Sequence, residues 1–358
     1  MDVVKLLVVL GLGITQVEPD TGNFCYYKAT CGPSSWPTTY PTCNGSEQSP
    51  INIQKSKAVR NEMLGPFQFH YYDNRQFVKK IERTPTSVKV TVNSSMWLSG
   101  GGLHADYAVA QFHLHWGSSV TSRGSEHALD GKRSSMELHI VHRQRDLSLS
   151  QAFGVREGLA VLGFFIEVEN GTAEDPGWKN LTRTVKYLKH SGDHRDLNGS
   201  VSLMDLIKNV NPLKYFRYNG SLTTPECNEV VVWTVFEEPI RLNASLVEGL
   251  FRDLYVNETS GVKLLNNFRT LQMNVNPVWA SAAVSADTTS APPAKTAPSK
   301  TTPSKTTPSK TTPSKTAPSK TTPSKTTPSK TTPSGGAHRE LSSLALLLLL
   351  TSLSLLPI

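Results

Sequence analysis

No apolar run in this 358-residue chain reaches the ~20 residues that a helix needs to cross a bilayer. Helical periodicity is scarce too, confined to Trp178 to Leu188, Val201 to Val210 and Leu246 to Tyr255. Net charge is missing outside one segment: the formal +8 is matched by the eight lysines at 295, 300, 305, 310, 315, 320, 325 and 330. The sequence pI of 9.2 therefore carries no message about nucleic acid, and no nucleic-acid partner is expected. Cysteine is limited to Cys25, Cys31, Cys43 and Cys227. An even set in an exported chain favours two disulfides over a thiolate metal site, and three pairings are open.

What is present at the ends speaks for export. Lys5 precedes the apolar run Leu6 to Ile14, and polar residues follow from Thr15 to Thr21, so residues 1–20 are expected to be a secretory signal peptide. A membrane helix is the competing reading, but the run is about half the required length. Lys295 to Ser334 holds eight copies of Lys-Thr-Thr-Pro-Ser with occasional Ala. Proline every fifth residue and no large apolar side chain predict an extended stalk over 285–334, with Thr and Ser open to O-glycans. Three small residues, Ser334, Gly335 and Gly336, precede a polar spacer and the leucine-rich tail Leu344 to Ile358. That layout predicts a glycosylphosphatidylinositol (GPI) signal over 335–358, removed on lipid attachment at Ser334. The expected location is the extracellular face of the plasma membrane. Asn-x-Ser/Thr sequons at Asn44, Asn93, Asn170, Asn180, Asn198, Asn219, Asn243 and Asn257 agree with it.

Residues 23–280 remain for one folded domain, of a size that supports a single core. Val88 to Val92, Ala110 to Trp116, Met136 to His142, Leu159 to Val168 and Val230 to Phe236 alternate as strands do. A predominantly β domain follows, built on a large, mainly antiparallel twisted sheet with marginal helices. In Gln111-Phe-His-Leu-His-Trp116, His113 and His115 share one strand face, and Glu137 and His139 share a face of a second strand. If the strands are neighbours, three neutral histidines converge and leave a fourth position free, the catalytic rather than structural arrangement for Zn²⁺. Gln111 and Glu137 are candidate acceptors for the outward imidazole N–H groups.

With those residues in place, the chain resembles the alpha carbonic anhydrases over nearly all of its folded part. The matching motifs run in order: Gln48-Ser-Pro-Ile-Asn-Ile53, Gln111 to Gly117, Gly124-Ser-Glu-His127 and Met136 to His142, then Gly158 to Gly163, Gly220-Ser-Leu-Thr-Thr-Pro225, Val232 to Val235 and Asn266-Asn-Phe-Arg269. The cysteines and the lipid-anchor signal look like the GPI-anchored, isozyme IV-like group. The resemblance implies His113, His115 and His139 as zinc ligands, with Gln111, Glu137 and the backbone of Asn267 behind them, and Tyr26 and Tyr218 nearby. It implies that Thr223 bridges the reactive hydroxide and Glu126, and that Thr224 helps hold bicarbonate. Val141, Val161, Leu222, Val231 and Trp233 would form the apolar wall for CO₂. His127 and His142 fall at structural positions. Cys25 would pair with Cys31, and Cys43 with Cys227. Sulfonamide and anion inhibitors, and bicarbonate or acid transporters, are the other implied partners.

The chain departs from the family where faster members carry a proton-shuttle histidine. Thr86 stands at that position, no histidine lies between Tyr71 and Leu103, and threonine has no group that titrates near neutral pH. Lys89, three residues on, replaces a neutral residue of the cavity wall and is expected to raise the local positive potential. The expectation is an active enzyme that depends on exogenous buffer. A zinc-free surface-binding module is the main competing class, and all three ligands, Glu126 and Thr223 argue against it. A zinc esterase is the second, expected as incidental activity.

Overall fold

The computed structural model describes residues 24–171, 175–256 and 261–284. All described residues lie within Met1–Ala294. The expected signal peptide, stalk, Ser334 and lipid-attachment signal lie outside the described residues. Among the described residues no helix is long and apolar enough to cross a membrane.

A twelve-stranded sheet organises the domain. Across it run His194–Asp196, Val78–Arg83, Val88–Val92, Tyr107–Trp116, Met136–Gln144, Leu159–Val168, Val231–Leu242, Tyr215–Gly220, Trp279–Ser281 and Val59–Asn61. Phe67–His70 and Trp97–Gly100 pair beside the Tyr107–Trp116 strand. Most pairings are antiparallel, but Leu159–Val168 runs parallel to Val231–Leu242, and Trp279–Ser281 parallel to Val59–Asn61. A parallel pair needs a crossover too long for a hairpin, and the segment between residues 168 and 231 supplies it with two helices.

Alternation sorts the side chains into two cores. Phe112, Leu114, Leu138, Ile140, Leu162 and Phe164 join the larger apolar cluster on one face. Val141, Val161, Phe165, Trp233 and Val235 join a smaller one on the other. Each such side chain contributes roughly 1.5–3 kcal/mol on burial, so a one-residue slip of a central strand, which exchanges the faces, is strongly disfavoured.

The helices are shorter than their sequence patterns. Pro176–Val185 starts where Asp175 accepts the N–H groups of Gly177 and Trp178, and it buries Trp178, Leu181 and Val185 at helical spacing. Leu203–Ile207 is capped by Ser202 and Asp205 reciprocally, and Ala244–Gly249 by Asn243. The expected Val230 to Phe236 strand extends instead over Val231–Leu242.

Both disulfides form as the resemblance implied, Cys25 with Cys31 and Cys43 with Cys227. His142 is structural: buried, it bonds the Tyr72 hydroxyl and donates from Nδ1 to the Ala160 carbonyl at 3.0 Å, and burial pushes its pKa down to about 3. His70, half-buried, stacks on Trp97 with ring centroids 3.5 Å apart.

The Cys43–Cys227 bond closes a separation of 184 residues. Replacing both cysteines by serine is expected to lower the unfolding free energy by about 2–5 kcal/mol, measured by denaturant titration.

Candidate metal centre

Register brings the expected ligands together. In the antiparallel pair, His139 lies opposite His113, Glu137 opposite His115 and Val141 opposite Gln111. The three imidazoles meet with ring centroids 5.0, 5.3 and 4.6 Å apart, and a nitrogen of each falls within 4.8 Å of the others.

Which nitrogens face inward is set by what holds the others. His113 donates from Nδ1 to the Gln111 side-chain oxygen at 2.9 Å, and His115 from Nδ1 to the Asn267 carbonyl at 2.7 Å. His139 donates from Nε2 to Glu137 Oε1 at 2.7 Å. Each acceptor is an oxygen without a proton to offer, so each histidine must donate there and present a lone pair from its other nitrogen. Nε2 of His113, Nε2 of His115 and Nδ1 of His139 are therefore the available donors. His115 Nε2 is buried with no hydrogen-bond partner, an orphaned atom that a metal ion would satisfy.

Burial favours the neutral form of His113 and His115, the form a metal requires. Burial, then the neighbouring imidazoles, pushes His113 well below the usual histidine pKa. Burial lowers His115 too, against the opposing pull of Glu126. Burial alone would raise Glu137, but His127 and His139 outweigh it and hold the carboxyl well below its ordinary range. His127 contributes its backbone N–H to Oε2 at 2.8 Å and Nδ1 to Oε1 at 2.7 Å, while its Nε2 meets the Tyr218 hydroxyl at 2.6 Å. Tyr218 donates onward to Ser49 at 2.8 Å. His127 and Tyr218 thus act through Glu137 rather than as ligands. Gly163 sits opposite His139, and a Cβ there would come within 3.1 Å of Glu137 Oε1, so the carboxylate occupies the space that the missing side chain leaves.

Asn267, fully buried, is tied on every side. Its Oδ1 accepts the Trp116 N–H at 2.7 Å, and its Nδ2 donates to the carbonyls of Leu114 at 3.1 Å and Thr86 at 3.0 Å. Two residues on, the Arg269 guanidinium bonds the Gln48 side chain at 2.8 Å and the carbonyls of Ser49 and Cys43, each at 2.9 Å. The Arg269 backbone N–H donates to Glu126 Oε1 at 2.8 Å. Sequence reading assigned Arg269 no role, although it lies in a noted motif. Its contacts become visible only when residues far apart in the chain are brought together.

Glu126 Oε2 is buried without a partner, 3.5 Å from His115 Nε2 and 4.0 Å from His139 Nδ1. The expected bond from the Thr223 hydroxyl to this carboxylate is not formed: Oε1 is taken by Arg269, and Oε2 is turned to the ligand nitrogens.

A cavity of about 420 Å³ opens over the histidines. Gln111, His113, His139, Val141, Val161, Leu222, Thr223, Thr224 and Trp233 line it. Val231 does not; it is 1% exposed and packs in the smaller core, because its partner Leu159 lies at the strand end beyond the cavity. Leu149, Phe153, Glu226 and Asn228 also line it without having been anticipated, since no motif marks residues of separate segments that meet only in three dimensions. Thr86 lines a pocket of about 250 Å³ together with Tyr26, and Lys89 stands opposite His113 in the adjoining strand, its ammonium 3.8 Å from Glu82. Burial, with help from Glu126, pushes the Tyr26 phenol well above its ordinary pKa.

Comparison with known proteins agrees with this arrangement. The family described as eukaryotic-type carbonic anhydrase matches residues 31–281. Carbonic anhydrase 4 of Oryctolagus cuniculus is 40% identical over 275 residues, covering 75% of this chain and 87% of the relative. Carbonic anhydrase 12 of Homo sapiens is 34% identical over 277 residues, covering 75% and 76%. A match of this extent, falling on a domain whose three inward nitrogens are held as zinc ligands are held, means that the chain belongs to the eukaryotic-type carbonic anhydrase family, lyases that depend on zinc.

Proposed function

We propose that this chain hydrates CO₂ reversibly to bicarbonate and a proton at the extracellular face of the plasma membrane, with proton removal slowed because Thr86 stands at the shuttle position. The observation that carries the catalytic part is the set of three inward imidazole nitrogens at the base of a cavity whose wall includes Val141, Val161, Leu222 and Trp233. In the family that is itself the standard example of this chemistry, bound zinc acidifies a coordinated water and so supplies a nucleophile near neutral pH.

The chain's own residues do the rest. Gln111, Asn267 and Glu137 lock the tautomers and orientations of the three ligands. The apolar wall excludes water and accommodates a neutral substrate with little hydrogen-bonding capacity. Thr223 is the candidate positioning hydroxyl: with the site filled it would donate to the unpaired Glu126 Oε2, leaving its own lone pair to accept from the nucleophile. Such bonds are commonly loose before substrate is in place. Thr224, beside it, holds bicarbonate. Thr86 offers no titratable group, so the proton leaves on buffer.

The ends of the chain support the location. A signal peptide over 1–20, a repeat stalk over 285–334 and lipid attachment at Ser334 would display residues 23–280 outside the cell. There the enzyme would meet CO₂, bicarbonate, sulfonamide or anion inhibitors, and transporters of bicarbonate or acid.

Stopped-flow CO₂ hydration by the purified ectodomain is the direct test. One zinc per chain is expected, with sulfonamide-sensitive activity, and His139→Ala should lose at least about 100-fold in metal affinity or activity; a metal-free, inactive wild type would refute the reading. Thr86→His should raise turnover in poorly diffusing buffer by several-fold while leaving the CO₂-limited rate alone. Treating cells that express the full chain with a phosphatidylinositol-specific phospholipase should release the protein, whereas retention would refute the anchor.

A further inference from the structure

Fifteen residues line the cavity above the histidines, and among them Glu226 alone bears a carboxylate, with no lysine or arginine to offset it. Glu226 is exposed, which places it at the rim rather than the floor. None of the ion pairs among the described residues involves it, so its charge is not spent on a neighbour. Its backbone is held: the Glu226 carbonyl accepts the Thr42 hydroxyl, and the next residue, Cys227, is bonded to Cys43 and donates its N–H to the Thr224 carbonyl at 2.8 Å. The backbone that carries the charge is thus held in the same loop as Thr223 and Thr224.

We infer that Glu226 is a specificity-determining charge for the solutes that enter and leave this cavity, favouring cationic proton carriers and disfavouring anions. The inference rests on the proposed CO₂ hydration. Hydration turns CO₂ and water into bicarbonate and one proton, and with Thr86 at the shuttle position that proton leaves on a base from solution. The base gains one positive charge: imidazole leaves as imidazolium, and hydrogen phosphate leaves as dihydrogen phosphate. A carboxylate at the rim stabilises the charge growing on imidazole and repels phosphate in both of its forms. By microscopic reversibility the same preference holds in the dehydration direction, where imidazolium enters. It also opposes the entry of small anions that compete for the inward-facing site. One unit charge acting through solvent at a few ångströms changes such rates and affinities by about two- to threefold at low ionic strength, and by less as salt screens it.

The test uses wild type and Glu226→Gln, Glu226→Lys and Glu226→Asp, each zinc-loaded. The first readout is the ratio of turnover in imidazole-type buffers to turnover in phosphate at one pH and low salt. The ratio should fall about two- to threefold in Glu226→Gln, fall further in Glu226→Lys, and stay near wild type in Glu226→Asp. The second, independent of turnover, is the dissociation constant of thiocyanate by calorimetry, expected to tighten by a similar factor in Glu226→Gln and more in Glu226→Lys. Ratios and thiocyanate affinities that do not change in the glutamine and lysine variants would overturn the inference. A wild type with no CO₂ hydration in any buffer would instead overturn the proposed function, so the two failures are distinct.

Discussion

The hydrogen-bonded register between Tyr107–Trp116 and Met136–Gln144 sets His139 against His113 and Glu137 against His115, and the metal centre follows from that pairing. Shifted by one residue, the same strands would turn His139 into the larger apolar core and bring Leu138 or Ile140 to the site. The register is held from both sides. Phe112, Leu114, Leu138 and Ile140 are nearly fully buried on one face, and on the other Gly163 leaves room for the Glu137 carboxylate opposite the histidine it orients.

Around that pairing the buried polar groups form connected networks rather than isolated contacts. One runs from His139 through Glu137 to His127, Tyr218 and Ser49. Another runs from His115 to the Asn267 backbone, whose side chain secures Trp116, Leu114 and Thr86. Arg269 joins the second to Gln48, Ser49 and Cys43 near the start of the domain. Buried charge of this kind is tolerated because each residue has at least one hydrogen-bond partner. The two orphans at the centre, His115 Nε2 and Glu126 Oε2, lie 3.5 Å apart, and a bound ion would satisfy the first.

The cavity divides its labour by depth. Histidines held by carbonyl and carboxylate acceptors lie at its base, apolar side chains from the central strands form one wall, and the Thr223–Asn228 loop forms the other. That loop is tied to residues near the start of the domain by Cys43–Cys227 and by the Thr42 hydroxyl on the Glu226 carbonyl. The three ligand histidines therefore rest on strands, and the residues that face them from across the cavity rest on a tethered loop.

Strand positions, the pairing of His113 and His115 on one face, and the role of Glu137 were legible because alternation in a strand is a local property of the chain. The Lys-Thr-Thr-Pro-Ser repeat is low in apolar side chains, a composition that does not support a packed core, and it lies outside the described residues. The exclusion of Val231 from the cavity, the room left at Gly163, the partners of Arg269, the orientation of Glu126 and the charge of Glu226 at the rim were decided by the tertiary structure. Each depends on residues tens to hundreds of positions apart meeting at one point, and no local pattern encodes such a meeting.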